Sequence, residues 1–102
     1  MAFTVITKKR FENKVKNLLE YLVANWQDKV AVDFLLILYN TITVISNNPA
    51  VGSKIKNSNK IRSLLVTKQN RLYYRVEKNK IILLNLIDTR RNPKNNPFKK
   101  TA

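Results

Sequence analysis

The residues best suited to chemistry in this chain are arginines set at strand spacing. In "RLYYRVE", residues 71–77, alternation puts Arg71, Tyr73, Arg75 and Glu77 on one side of an extended segment and Leu72, Tyr74 and Val76 on the other. Guanidinium forks pair with phosphates through two parallel hydrogen bonds, and a tyrosine between two of them offers a face on which a base stacks. Arg75, two residues before Glu77, also reads as a routine surface ion pair of little energetic weight. Arg71 leaves a turn beside Lys68. A second basic stretch, "DTRRNPKNNPFKK" at 88–100, holds Arg90, Arg91, Lys99 and Lys100, and its two prolines oppose a helix. It reads as a solvated tail, or as a basic arm that orders on a target.

Charge says what such side chains would meet. The chain carries 20 Lys and Arg against 6 Asp and Glu, a net charge of +14 over 102 residues. Twelve of these net charges fall after Pro49: residues 49–80 hold nine basic side chains against Glu77, and residues 81–102 hold five against Asp88. Segment 28–48 is net −1. So uneven a distribution implies a polyanionic partner, either nucleic acid or an acidic protein. Without Cys or His the chain has no disulfide, no thiol chemistry and no zinc site of the usual kind, so neither metal nor cofactor is expected. The six acids are scattered and supply no paired-carboxylate site. The longest apolar runs, "FLLIL" (34–38) and "IILLNLI" (81–87), fall far short of the roughly 18 residues that span a bilayer. In "MAFTVITKKRFENK" the charges follow the apolar piece, unlike a signal peptide. A cytoplasmic protein with no membrane partner is expected.

The elements that must hold these residues follow from periodicity. "AFTVI" (2–6) reads as a short strand. From Thr7, a candidate N-cap, the positions Phe11, Val15, Leu18, Leu19, Leu22 and Trp26 form one helical stripe. Asp28 is placed to cap a second helix whose stripe is Val30, Phe34, Ile37, Leu38, Thr41, Ile42 and Ile45, and which Asn48-Pro49 stops. The other face of that helix carries Leu35, Leu36, Tyr39 and Val44, more apolar surface than one neighbour needs. After a polar loop, 48–59, come three strand-like runs at 60–67, 71–77 and 80–88, with "KQN" and "EKNK" as turns. The order β-α-α-β-β-β predicts an α+β fold in which a helix hairpin packs on an antiparallel sheet. It predicts one domain, 1–88, followed by a basic tail, 89–102. That order is neither the α-β-β-β-α of a double-stranded RNA-binding domain nor the β-α-β-β-α-β of an RNA-recognition motif.

Taken together, "EYLVANWQDKVAVDFLLILYNTITVISNNPAVG" (20–52) and "IRSLLVTKQNRLYYRVEKNKIILLNLIDTRRNP" (61–93) resemble the RelE/ParE superfamily of bacterial type II toxin–antitoxin systems. A helix ending in Trp, a second ending in Asn-Pro, the "RLYYRV" strand and the Asp-x-Arg-Arg-x-Pro exit carry the likeness. It implies the same β-α-α-β-β-β fold and an acidic antitoxin as partner. It also implies one of two targets, DNA gyrase for a ParE-like toxin or the ribosome and its mRNA for a RelE-like endonuclease. In the nuclease branch, strand and exit arginines match Arg71 and Arg91, and Arg62 falls near a site that contacts RNA. Lys68, Tyr73, Arg75, Arg90, Lys99 and Lys100 join them as candidate contacts to target or nucleic acid. That branch usually adds a C-terminal Tyr, or His and Glu, to move protons. Here Pro97 and Phe98 stand where a tyrosine is expected, and the tyrosines are 21, 39, 73 and 74. The expected action is therefore ParE-like, with a RelE-like mRNA endonuclease as the alternative and a non-toxic basic nucleic-acid-binding module as the third reading.

Overall fold

The computed structural model describes residues 3–56, 58 and 60–90. The chain runs β1 (Thr4–Thr7), α1 (Lys9–Asn25), α2 (Asp28–Asn47), a 3-10 turn (Pro49–Val51), β2 (Ser53–Lys54), β3 (Ile61–Thr67), β4 (Asn70–Glu77) and β5 (Lys80–Asp88). The expected α+β order is present, with β2 and the 3-10 turn added inside what the sequence offers only as a polar loop. The five strands form one sheet in the order β1-β5-β4-β3-β2. The sheet is mixed rather than wholly antiparallel, because β1 pairs in parallel with β5 while the other pairs are antiparallel. A parallel pair needs a long crossover, and the helix hairpin with the strands after it supplies one.

Each helix lays one stripe on the sheet. Phe11 of α1 and Ala31, Phe34, Leu38, Thr41 and Ile45 of α2 are buried, and Phe11, Phe34, Leu38 and Ile45 form one core cluster with Leu72, Tyr74, Ile81, Leu83 and Leu86. Thr7 is the last residue of β1 rather than a cap. Its hydroxyl donates to the Glu12 carboxylate, while Lys8 takes the N-cap position without a side-chain bond. Likewise Gln27 is the N-cap of α2, and Asp28 opens its first turn, where a carboxylate suits the positive end of the helix dipole. By length and composition α2 could cross a bilayer. Its buried stripe belongs to the core of the folded domain, so it is a core helix and not a span.

A bulge explains the near-continuous apolar run of β5. Tyr73 pairs with Asn85 but Tyr74 pairs with Leu83, so Leu84 is the extra residue. Before it Ile81 and Leu83 face the helices; after it Leu86 does. The opposite face is closed at its centre by Tyr73, Ile82, Asn85 and Ile87, all buried.

The end of α2 is tied to the sheet by one phenol. The Tyr74 hydroxyl donates to the Pro49 carbonyl at 2.7 Å and accepts from the Gly52 N–H at 2.9 Å. Gly52 has no room for a side chain: a Cβ there would lie 2.5 Å from the Tyr74 oxygen and 2.9 Å from the Ser63 carbonyl oxygen. Gly52→Ala is expected to cost about 1–3 kcal/mol through overpacking. Tyr74→Phe is expected to cost a similar ~1–3 kcal/mol by stranding the Gly52 N–H. Because the two share one contact, the double variant should lose less than the sum in urea denaturation.

Burial raises the Tyr74 pKa above the usual 10.0, outweighing the Gly52 bond and the Arg62 charge, which favour the phenolate. As pH climbs past 10.0 the unfolded chain gives up this proton before the folded one does. Its contribution to stability is therefore complete below pH 10.0 and lost above it. Thermal melts should show a steeper alkaline decline in the wild type than in Tyr74→Phe.

Candidate functional site

The side chains singled out by charge and spacing fall on three surfaces. The first is the sheet face turned away from the helices, where cross-strand rows set Leu65, Arg71 and Ile87 together, then Ser63, Tyr73 and Asn85, then Ile61, Arg75 and Ile82. The predicted Arg71–Tyr73–Arg75 column does lie on this face. Tyr73, however, is only 1% exposed, so it is no stacking platform for a base. Alternation in sequence fixes the side of a strand and not its depth, and this ring sits mid-sheet between buried Ser63 and Asn85. Arg71 donates from Nη1 to the Ser63 hydroxyl at 2.9 Å. Arg75 lies 3.1 Å from Glu77 in the expected ion pair.

Arg62 points to the other side of β3. Its Nη1 donates to the carbonyls of Gly52 at 2.6 Å and Ala50 at 3.3 Å, beside the Tyr74 phenol. The fold thus uses Arg62 as a clamp on the loop after α2.

The second surface joins Lys68 and Arg90, which the sequence separates by two strands. Both line a groove of about 560 Å³ between the tip of the helix hairpin, the β3–β4 turn and the exit of β5. Tyr21, Trp26, Val30 and Ile37 form its apolar wall. The rim is fixed from within: Thr89 donates its N–H to Gln69 and its hydroxyl to the Lys68 carbonyl. Arg90 grips Asp88 through Nε and Nη2, and this bond holds the guanidinium's proton more tightly than usual. Sequence reasoning missed Tyr21 and Trp26 as site residues. Trp26 closes the apolar stripe of the first helix, yet it is 63% exposed at the α1–α2 break.

The third surface is the outer groove between the helices, about 510 Å³, floored by Val15, Leu19, Leu35, Leu38 and Ile42. It continues onto α2, where Leu36 and Tyr39 are 62% and 61% exposed. Among the described residues no group of acids could hold a metal ion. Arg91, Lys99 and Lys100 lie outside the described residues.

The family described as "ParE toxin of type II toxin-antitoxin system, parDE" matches residues 5–93. No curated protein matches. Among solved structures, the fold is similar to the chromosomal ParDE toxin–antitoxin system of P. aeruginosa, with a TM-score of 0.71 at 10% identity over 85% of this chain and 96% of that one. It is also similar to the YoeB dimer from Staphylococcus aureus, with a TM-score of 0.58 at 19% identity over 83% and 94% of the two chains. The conserved hypothetical protein HP0894 from Helicobacter pylori gives 0.55 at 20% identity over 86% and 96%.

The clamp and the sheet-face arginine should respond differently to truncation. Arg62→Ala removes charge-assisted bonds to two carbonyls and is expected to cost about 1.5–3 kcal/mol of folding stability. Arg71→Ala gives up one bond to a hydroxyl and should cost about 1 kcal/mol or less. Chemical denaturation of the two variants beside the wild type measures both.

Proposed function

This chain belongs to the ParE toxin family of type II toxin–antitoxin systems, and we propose that it arrests growth by binding a target such as DNA gyrase in the cytoplasm, without cutting RNA. The observation that carries this reading is the company Arg71 keeps. Cleavage by an RNA 2′-hydroxyl needs a group that takes its proton, and an arginine does not give up its own proton to serve as that base. Beside Arg71 stands the Ser63 hydroxyl. Tyr73 is buried, the Tyr74 phenol is bound to two backbone groups, Glu77 is held by Arg75, and the sequence has no histidine. Among the described residues, the surroundings of Arg71 therefore offer electrostatic stabilisation without an evident base. One feature favours the alternative, a ribosome-dependent mRNA endonuclease: Arg71 spends one bond on Ser63 and has further donors to spare for a phosphate.

An acidic antitoxin would silence the toxin by covering the apolar outer face of α2 and the basic sheet. Buried apolar area would supply affinity, while the +14 charge would speed encounter. The exposed Leu36 and Tyr39 support this docking.

Induction of the chain alone is expected to stop growth, and co-expression of the neighbouring reading frame to restore it. Purified protein should inhibit gyrase supercoiling and leave message on translating ribosomes intact. Codon-level cleavage that falls about 10²-fold or more in Arg71→Ala and Arg91→Ala would instead establish the nuclease. Under the gyrase reading, losses at Arg90, Arg91, Lys99 or Lys100 should each weaken binding modestly and flatten its salt dependence. Leu36→Glu and Tyr39→Glu should each weaken antitoxin binding by tenfold or more, on the order of one lost anchor.

A further inference from the structure

The groove at the hairpin tip shares no lining residue with the outer groove between the helices. The two grooves are therefore separate apolar concavities, and an antitoxin on the outer face of α2 leaves the tip to something else. Four large apolar side chains, Tyr21, Trp26, Val30 and Ile37, stay exposed in this one concavity instead of being scattered. An exposed apolar cluster rimmed by polar groups marks an interaction surface. Trp, Tyr and Arg are also the residue types that dominate binding energy at protein interfaces. The rim is already ordered by its internal bonds, so a partner would not have to immobilise it.

Charge decides the kind of partner. Both acids of the lining are engaged within the chain, Asp33 by Lys29 at 3.1 Å and Asp88 by Arg90 at 2.8 Å. Lys68 is the rim cation whose ammonium has no partner among the described residues. It sits within the segment, 49–80, that carries most of the chain's excess positive charge. We propose that the tip groove docks an acidic segment of a target protein, which inserts an apolar side chain beside Trp26 and sets a carboxylate against Lys68. The proposal rests on the reading that this toxin acts by binding a protein, and it names the surface and the chemistry of that contact.

A phage-displayed random-peptide library selected on the full chain tests this without a gyrase assay, so the two readings fail separately. Recovered peptides should place Asp or Glu within a few residues of a large apolar side chain. Their binding should blue-shift the emission of Trp26, the chain's single tryptophan. Tyr21→Ala should weaken the best peptide about 30-fold, the size of a hot-spot loss. Lys68→Glu should weaken it at least tenfold, and Leu36→Glu, on the outer face of α2, should leave it unchanged. Far-UV circular dichroism of each variant separates lost contacts from lost folding, and Lys68→Glu alters an exposed turn residue outside the core. Failure to recover peptides, recovery of peptides without the acidic–apolar pairing, or binding indifferent to Lys68→Glu would overturn the proposal. So would an oligo(dT) or oligo(U) probe that shifts Trp26 at lower concentration than any peptide, which would make the groove a nucleic-acid platform.

Discussion

The tie between Tyr74 and the loop after α2 is the constraint on which most of this structure hangs. It joins the loop that follows the helix hairpin to the middle of the sheet through two backbone groups, with Arg62 closing the same loop from the side. Together with the Arg62 bonds to Gly52 and Ala50, it holds the segment from Pro49 to Lys54 where β2 pairs with β3. The tie also limits the chemistry. The Tyr74 phenol faces the helices, where burial keeps it neutral and its one hydroxyl hydrogen is spent on a carbonyl. Tyr74 is thus committed to structure and turned away from Arg71 and Arg75.

The fold was legible because local signals and the global solution agree: helix stripes at 3.6-residue spacing, strands at period two, and turn residues between them. What the sequence hid is non-local. The parallel seating of β1 beside β5 depends on how the crossover returns and leaves no mark on the residues of either strand. The bulge at Leu84 is masked because "IILLNLI" is apolar at nearly every position, so a slip of one residue changes no visible pattern. Depth was misjudged at both ends of the scale. Tyr73 sits in an alternating, apparently solvent-facing column yet is sealed, whereas Trp26 sits in an apolar stripe yet is open. Periodicity reports direction from an element, and only the neighbouring elements decide what lies in that direction.

The candidate site was legible in composition and not in place. Net charge pointed to the second half of the chain, and Lys68 and Arg90 do meet there. Their meeting needs Thr89 to fasten the exit of β5 to the β3–β4 turn, through bonds from its N–H and hydroxyl to Gln69 and Lys68. Nothing in "IDTRR" announces that attachment. The first residue of the expected tail, 89–102, is thereby built into the domain.

Charge and apolar surface divide the work of recognition between them. A field from +14 charges acts over roughly a Debye length, about 8 Å at physiological salt, and is blind to detail. It raises the rate of meeting any acidic partner, and salt weakens it. Two apolar grooves with ordered walls act only on contact and discriminate by shape, so they govern how long a partner stays. Because segment 28–48 is nearly neutral, the outer face of α2 can hold a bound segment with little help from charge, whereas the tip groove also takes Lys68 of the basic segment 49–80 onto its rim. A regulator that must remain bound is best served by the first environment. A target that must be found quickly is best served by the second.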